Sequence, residues 1–236
     1  MPELLIVLLV SWFAGFTAFL GGLFASIEGS GESHLKKQVN RGTIAFGGGL
    51  LVAAIAFALL PQGMLLLSPW QLAGAFITGG LLFALIDMQL SRRGGTRAQF
   101  MAMLMDYLPE SISMGAVFVH NHRLGLLLAA FIGAQNLPEG FNAYKEITSA
   151  GAPSRHSLAA LFLISFLGPV AALTGYLFLQ THMVVAALIM TFAGGGILYL
   201  IFQDIAPQSH HRNTWVPALG AVLGFTVGML GKQLLG

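Results

Sequence analysis

The chain has 236 residues, of which 56% are hydrophobic and only 8% are charged. A soluble domain has about a quarter of its residues charged, so this composition excludes an ordinary soluble protein and indicates one that lies largely in lipid. The net charge of +2 comes without a basic helix, which argues against nucleic acid as a partner. There is no cysteine, which excludes disulfides and thiolate metal ligands.

Eight apolar stretches of the chain are each long enough to cross a bilayer, which needs about 20 residues. The connections between them are too short for a soluble domain, so we predict a single all-α polytopic membrane domain over residues 1–236. Open strands are excluded because they would leave backbone groups unpaired in lipid. The predicted helices cover residues 4–25, 43–61, 70–90, 99–119, 124–144, 157–179, 183–206 and 215–235.

The basic residues lie mostly in the loops on one side of the predicted bundle. Only Arg123 and Lys232 fall on the other side. Cytoplasmic loops carry an excess of Lys and Arg, so this asymmetry predicts that both termini lie outside the cytoplasm. The residues of the basic side are Lys36, Lys37, Arg41, Arg92, Arg93, Arg97, Lys145, Arg155 and Arg212.

An internal repeat relates the second predicted helix to the seventh at a spacing of 146 residues. These two helices run in opposite directions in the predicted topology, and inverted repeats around a polar site are typical of secondary transporters. The alternative is a chance match between glycine-rich apolar helices. The matching pairs are Phe46 and Phe192, Gly48 and Gly194, Gly49 and Gly195, Pro61 and Pro207, and Gln62 and Gln208.

Two short polar motifs interrupt the fourth and fifth predicted helices. MDYLPES contains Asp106 and Glu110, and AQNLPEG, aligned on its Pro-Glu pair 29 positions later, contains Gln135 and Glu139. Each motif places an oxygen donor four residues before a glutamate, so both side chains lie on one helix face. The prolines lack an N–H group and free the backbone carbonyl four residues earlier, which adds oxygen acceptors beside the acids.

These acids predict a cation site. A charge at the centre of a bilayer costs about 2.5–3.5 kcal/mol or more, so buried acids without a purpose are rare. Four oxygen donors, three of them anionic, suit a divalent cation. The alternative is a structural role in which the acids pair with a buried base, but no Lys, Arg or His lies within the membrane portion of any predicted helix.

The QNLPEG motif and the stretch GGGILYLIFQDIAPQSHH before a glycine-rich last helix resemble the ZIP (ZRT/IRT-like) family of metal transporters over nearly the whole chain. The resemblance implies a ZIP-like bundle of eight helices with both ends outside. It also implies movement of a divalent metal into the cytoplasm by alternating access, commonly of zinc, with manganese, iron and cadmium as alternatives. In that family picture the first, fourth, fifth and sixth helices slide against the others. The ligand positions carried over are Glu110, Gln135 and Glu139.

The chain departs from the family pattern at several ligand positions. The family has His-Asn where this chain has Asp106 and Tyr107, a glutamate at Gly168, and in some bacterial members an aspartate at Asn136. We therefore expect one metal site instead of two, with weaker selectivity for zinc, because carboxylate replaces imidazole. The predicted metal ligands are Asp106, Glu110, Gln135, Asn136 and Glu139.

Two other functions remain as alternatives. A ZIP-like protein that binds metal without moving it would act as a sensor or accessory protein. An intramembrane metal-dependent hydrolase would need histidines at helical spacing, such as H-E-x-x-H, and none occurs here. We expect no enzyme activity and no resident cofactor.

The predicted partners are divalent metal ions and the lipid bilayer of a cell membrane, in a prokaryote the inner membrane, and a homodimer is an open alternative. Four histidines in the connecting loops could assist the metal or be ordinary surface residues: His120 and His122 on the outer side, and His210 and His211 on the inner side.

Overall fold

The computed structural model describes residues 2–28, 33–92, 98–210 and 214–235, and its regular secondary structure in these ranges is entirely helical. The predicted loop residues Arg93, Arg97, His211 and Arg212 lie outside the described residues.

The helical segments of the described residues form eight rods, which we number α1 to α8 in chain order. Five are uninterrupted: α1 (Pro2–Glu28), α3 (Pro69–Arg92), α4 (Ala98–Phe118), α5 (His122–Ser149) and α8 (Val216–Leu235). Helix α2 joins His34–Ala54 through a π-helical turn at Ile55–Leu59 to Leu60–Leu66. Helix α6 comprises Ser154–Ile164, Leu167–Thr174 and a π-helical turn at Gly175–Leu179, and α7 comprises Met183–Leu200, a π-helical turn at Ile201–Ile205 and Ala206–Ser209.

Six of these rods are long and apolar enough to cross a membrane, which indicates a multi-pass membrane protein. The qualifying stretches of the described chain are Glu3–Glu28, Leu35–Leu66, Pro69–Gln89, Ser154–Leu179, Met183–Ser209 and Val216–Leu235. Helices α4 and α5, which carry the two polar motifs, are the two rods outside this set.

Helices α2 and α8, and likewise α3 and α7, pack side by side at crossings built from glycine. At each crossing two glycines, one per helix, face a backbone carbonyl of the other helix, so that a Cβ atom on either would overlap that oxygen. The contacts are Gly49 with Ala221 and Gly224 with Phe46 in the first pair, and Gly195 with Phe76 and Gly79 with Phe192 in the second. Gly49 and Gly195 are 146 positions apart, the spacing of the repeat seen in the sequence.

The other two helix pairs, α1 with α5 and α6 with α4, share a second version of this contact. The glycines and the residues whose carbonyls they face are Gly21 with Leu137 and Gly140 with Ala18 in α1–α5, and Gly175 with Ile112 and Gly115 with Ala172 in α6–α4. Corresponding residues are 154 positions apart between α1 and α6, and 25 apart between α4 and α5. Since α1 and α6 also contact each other, these four helices form one group around the polar motifs.

Ionic contacts mark the two ends of the α1–α5 pair. At one end His122 Nε2 lies 3.4 Å from Glu3 Oε1. At the other, Lys145 forms an ion pair with Glu28, and Lys36 Nζ donates to the Glu28 carbonyl at 2.7 Å. We call these the Glu3 end and the Glu28 end of the bundle.

Candidate metal site

Asp106, Glu110, Gln135 and Glu139 form two levels between α4 and α5. Gln135 Nε2 donates to Glu110 Oε2 at 2.6 Å, which fixes the first level. The two helices are consecutive and joined by a short turn, so they run antiparallel, and one turn back along α4 reaches the same height as one turn forward along α5. Asp106 and Glu139 therefore share the second level, one turn closer to the Glu28 end.

The four side chains are almost completely buried, with exposed fractions between 0% for Gln135 and 5% for Glu139. Asp106 Oδ1, Gln135 Oε1 and both carboxylate oxygens of Glu139 have no hydrogen-bond partner. In the described part of the chain no ion pair joins these acids to a base. Buried polar atoms normally have partners, so these oxygens are available to bind an ion or a water molecule.

The donors are not gathered around one point. Among the residues that the structure describes, no three His, Asp or Glu side chains lie close enough together to hold a metal ion as they stand. An ion would therefore have to draw the Asp106–Glu139 level and the Glu110–Gln135 level toward each other.

Asn136, predicted as a ligand, is directed at α1. Its Nδ2 atom donates to the carbonyl of Ala14 at 3.0 Å, and the side chain is 1% exposed. Close by, Thr17 Oγ1 lies 2.7 Å from the carbonyl of Gly133. These contacts hold α1 against α5. Sequence reasoning missed the part played by α1, because its acceptor is a backbone carbonyl that any residue would supply.

The surroundings of the acids differ on their two sides. Toward the Glu3 end, α4 and α5 are packed with apolar side chains that are at most 1% exposed: Met114, Val117, Phe118, Leu127 and Leu128. Toward the Glu28 end, Asn142 and Glu146 continue the helix face of Gln135 and Glu139 and are partly exposed. A polar face thus leads from the acids to the Glu28 end.

The predicted histidines lie apart from the acids. His120 Nε2 is 2.5 Å from the Gln180 carbonyl, His122 contacts Glu3, and His210 is exposed just after α7. The structure therefore brings together Asp106, Glu110, Gln135 and Glu139, turns Asn136 to α1, and leaves the three described loop histidines at the ends of helices.

Fold and site together define a class of protein: a helical membrane protein with unpartnered acids buried between two antiparallel helices. No family model matches the chain. It is similar to the zinc transporter GufA of Myxococcus xanthus, with 32% identity over 138 residues, which cover 58% of this chain and 54% of that protein. The chain thus aligns with about half the length of this curated relative.

Proposed function

We propose that this chain is a ZIP-like transporter that moves a divalent metal ion, zinc in the first place, into the cytoplasm. The observation that carries the proposal is the group of three buried acids, Asp106, Glu110 and Glu139. Asp106 and Glu139 have unpartnered oxygens, Glu110 is bonded only to the Gln135 amide, and no base among the described residues forms an ion pair with any of the three. Two further findings support it: the similarity to a zinc transporter and the six apolar helices. That relative is named for transport and not for catalysis, in agreement with our expectation that the chain is not an enzyme.

The proposed topology has eight membrane spans in two inverted halves, with both termini outside. Support comes from the glycine crossings, because α2–α8 and α7–α3 share one arrangement and α1–α5 and α6–α4 share another. Helices α4 and α5 pack within the same group, so they would cross with the others despite their polar motifs. The Glu28 end, where Lys36 and Lys145 lie, would face the cytoplasm.

In the proposed mechanism the metal is held between the two levels of the site and released toward the Glu28 end. The group α1, α4, α5 and α6 would shift against α2, α3, α7 and α8 to open the other side, in alternating access. Asp106, Glu110 and Glu139 would supply anionic oxygens, and Gln135 would turn its free Oε1 to the ion. Oxygen ligands of this kind also accept manganese, iron and cadmium, which we keep as alternative cargo.

The direct test is metal uptake into proteoliposomes by the wild type, by Glu139→Ala and by Glu3→Gln. Glu3 is a matched acid on α1 whose side chain is 47% exposed and lies away from the site. We expect zinc uptake by the wild type and by Glu3→Gln and none by Glu139→Ala. Equal uptake by Glu139→Ala and the wild type would contradict the proposed metal site between α4 and α5. Tight zinc binding by a wild type that carries no flux would favour the sensor.

A further inference from the structure

Tyr107 fills the space in which α4 meets α1 and α6. Its side chain is large and carries a hydroxyl group, yet it is only 1% exposed. A Cβ atom on Gly15 of α1 or on Gly168 of α6 would overlap the Tyr107 hydroxyl group. Glycine on both neighbouring helices therefore makes room for this one ring.

The Tyr107 hydroxyl group lies between two equivalent acceptors. Its oxygen is 3.5 Å from the Ser11 carbonyl on α1 and 3.4 Å from the Ser165 carbonyl on α6. Ser11 and Ser165 are 154 positions apart, the same spacing that relates the glycine crossings of these two helices. A hydroxyl group donates a single hydrogen, so Tyr107 shares it between the two helices and holds its ring at their junction.

Tyr107 and Asn136 play corresponding parts beside the acids. Each follows a proposed metal ligand in the sequence, Asp106 and Gln135 respectively, and each side chain reaches α1. Asn136 bonds to the Ala14 carbonyl, and Tyr107 packs against the adjacent Gly15. The α1 segment 11–15 thus contacts the neighbours of two proposed ligands: it is bonded to Asn136 of α5 and packs against the Tyr107 ring of α4.

We infer that Tyr107 is a positioning residue that limits the size of the ion which the site accepts, an inference that rests on the proposed metal transport. Selectivity among cations of equal charge depends on cavity size and on how far the ligands can move. The Tyr107 ring, wedged between α1 and α6, fixes the backbone of α4 next to Asp106 and so limits how far this side of the site can widen. A small ion such as zinc can then draw the carboxylates around itself, whereas the larger cadmium ion, with its wider ligand shell, fits less well and would be carried less readily.

The experiment measures the ratio of cadmium to zinc uptake when both ions are offered to proteoliposomes. Tyr107→Ala removes the ring, and Tyr107→Phe keeps the ring but loses the hydroxyl group. The matched control is Tyr144→Ala, since Tyr144 is also a buried tyrosine whose hydroxyl group is bonded, at 2.7 Å to Ser154. We expect Tyr107→Ala to raise the ratio about fivefold, with Tyr107→Phe and Tyr144→Ala close to the wild type.

A general loss of packing would lower the uptake of both ions and leave their ratio unchanged, so the ratio separates a size limit from a structural role. An unchanged ratio in a folded Tyr107→Ala that still carries zinc would overturn the inference, and so would an equal rise in Tyr107→Phe. If the alanine variant does not fold, Tyr107→Leu is expected to give a smaller rise, and an unchanged ratio there would also overturn it. Failure of the proposed function would be recognised separately, by a wild type that takes up neither ion.

Discussion

The two halves of the α4–α5 hairpin differ in what they offer an ion. Toward the Glu3 end, both helices present apolar side chains such as Met114 and Leu128, which are at most 1% exposed. Toward the Glu28 end, the same two helices present Asp106, Glu139 and the partly exposed Asn142. The acids therefore lie at the border between a closed half and a polar half of the hairpin.

This difference indicates the direction in which an ion would leave the site more easily. An ion leaving toward the Glu28 end meets polar side chains on α5 at each turn. An ion leaving toward the Glu3 end would have to cross several layers of mostly apolar packing, at a high desolvation penalty. Under the transport that we propose, this arrangement would be closed toward the Glu3 end and would release metal toward the Glu28 end.

The largest expected effect distinguishes the two levels of the site. We expect Glu139→Gln to lower zinc affinity about 100-fold or more, since loss of even an outer partner of a ligand costs 10–100-fold. Glu110→Gln should cost less, about tenfold, because Glu110 already shares an oxygen with the Gln135 amide. Isothermal titration of the purified protein measures both, and the reverse order would mean that the ion sits at the Glu110 level.

Thiol labelling tests the contrast between the closed and the polar half. The chain has no cysteine, so single-cysteine variants need no background correction. We expect Asn142→Cys to react about tenfold faster than Val117→Cys with a membrane-impermeant maleimide supplied at the Glu28 end, because thiol reactivity follows exposure. Equal rates in the metal-free protein would contradict the closed half.

The Gln135–Glu110 hydrogen bond can be tested through stability. Gln135→Leu leaves the buried Glu110 carboxylate without its amide partner and should destabilise the metal-free protein by about 1–3 kcal/mol. Replacing both residues by leucine should restore most of that loss, since an apolar pair leaves no polar group unsatisfied. Thermal unfolding in detergent provides the measurement, and a double variant as unstable as the single one would contradict the pairing.

The smallest effect is expected at the Glu28 end itself. Lys145 and Glu28 form an ion pair whose side chains are 32% and 24% exposed. Water and salt screen such a pair, so Lys145→Met should change the free energy of unfolding by only about 0–1 kcal/mol. A larger loss in a denaturant titration would show that this contact holds α1 to α5 more strongly than its exposure suggests.

The sequence was sufficient to identify the acids but not to predict at which level along the helix bundle each of them lies. Aligning the two Pro-Glu pairs relates the motifs at 29 positions, whereas the glycine crossings relate α4 to α5 at 25. The two spacings differ by four residues, which is about one helical turn. The shorter spacing agrees with the structure, in which Glu110 pairs with Gln135 and not with Glu139. Periodicity identifies the face of a helix on which a residue lies, but only packing decides which turn of a neighbour it meets.

The membrane character and the spacing of the repeat could also be read from the residues, because long apolar stretches and shared glycines leave a clear pattern. The roles of Tyr107 and Asn136 could not. Both side chains are bonded to backbone carbonyls of α1, and every residue has such a carbonyl, so the sequence does not show which one is the acceptor. The need for glycine at Gly15 and Gly168 can be explained only when the position of the Tyr107 ring between them is known.

The pairing of distant helices has a consequence for how the chain is made. Helix α2 enters the membrane well before α8 in synthesis, yet its glycine crossing is with α8, which follows five other helices along the chain. At about 5–20 residues per second, the ribosome delivers α8 on the order of ten seconds or more after α2. During that time the glycine surface of α2 is without its partner, and this helix pair can form only after α8 has inserted.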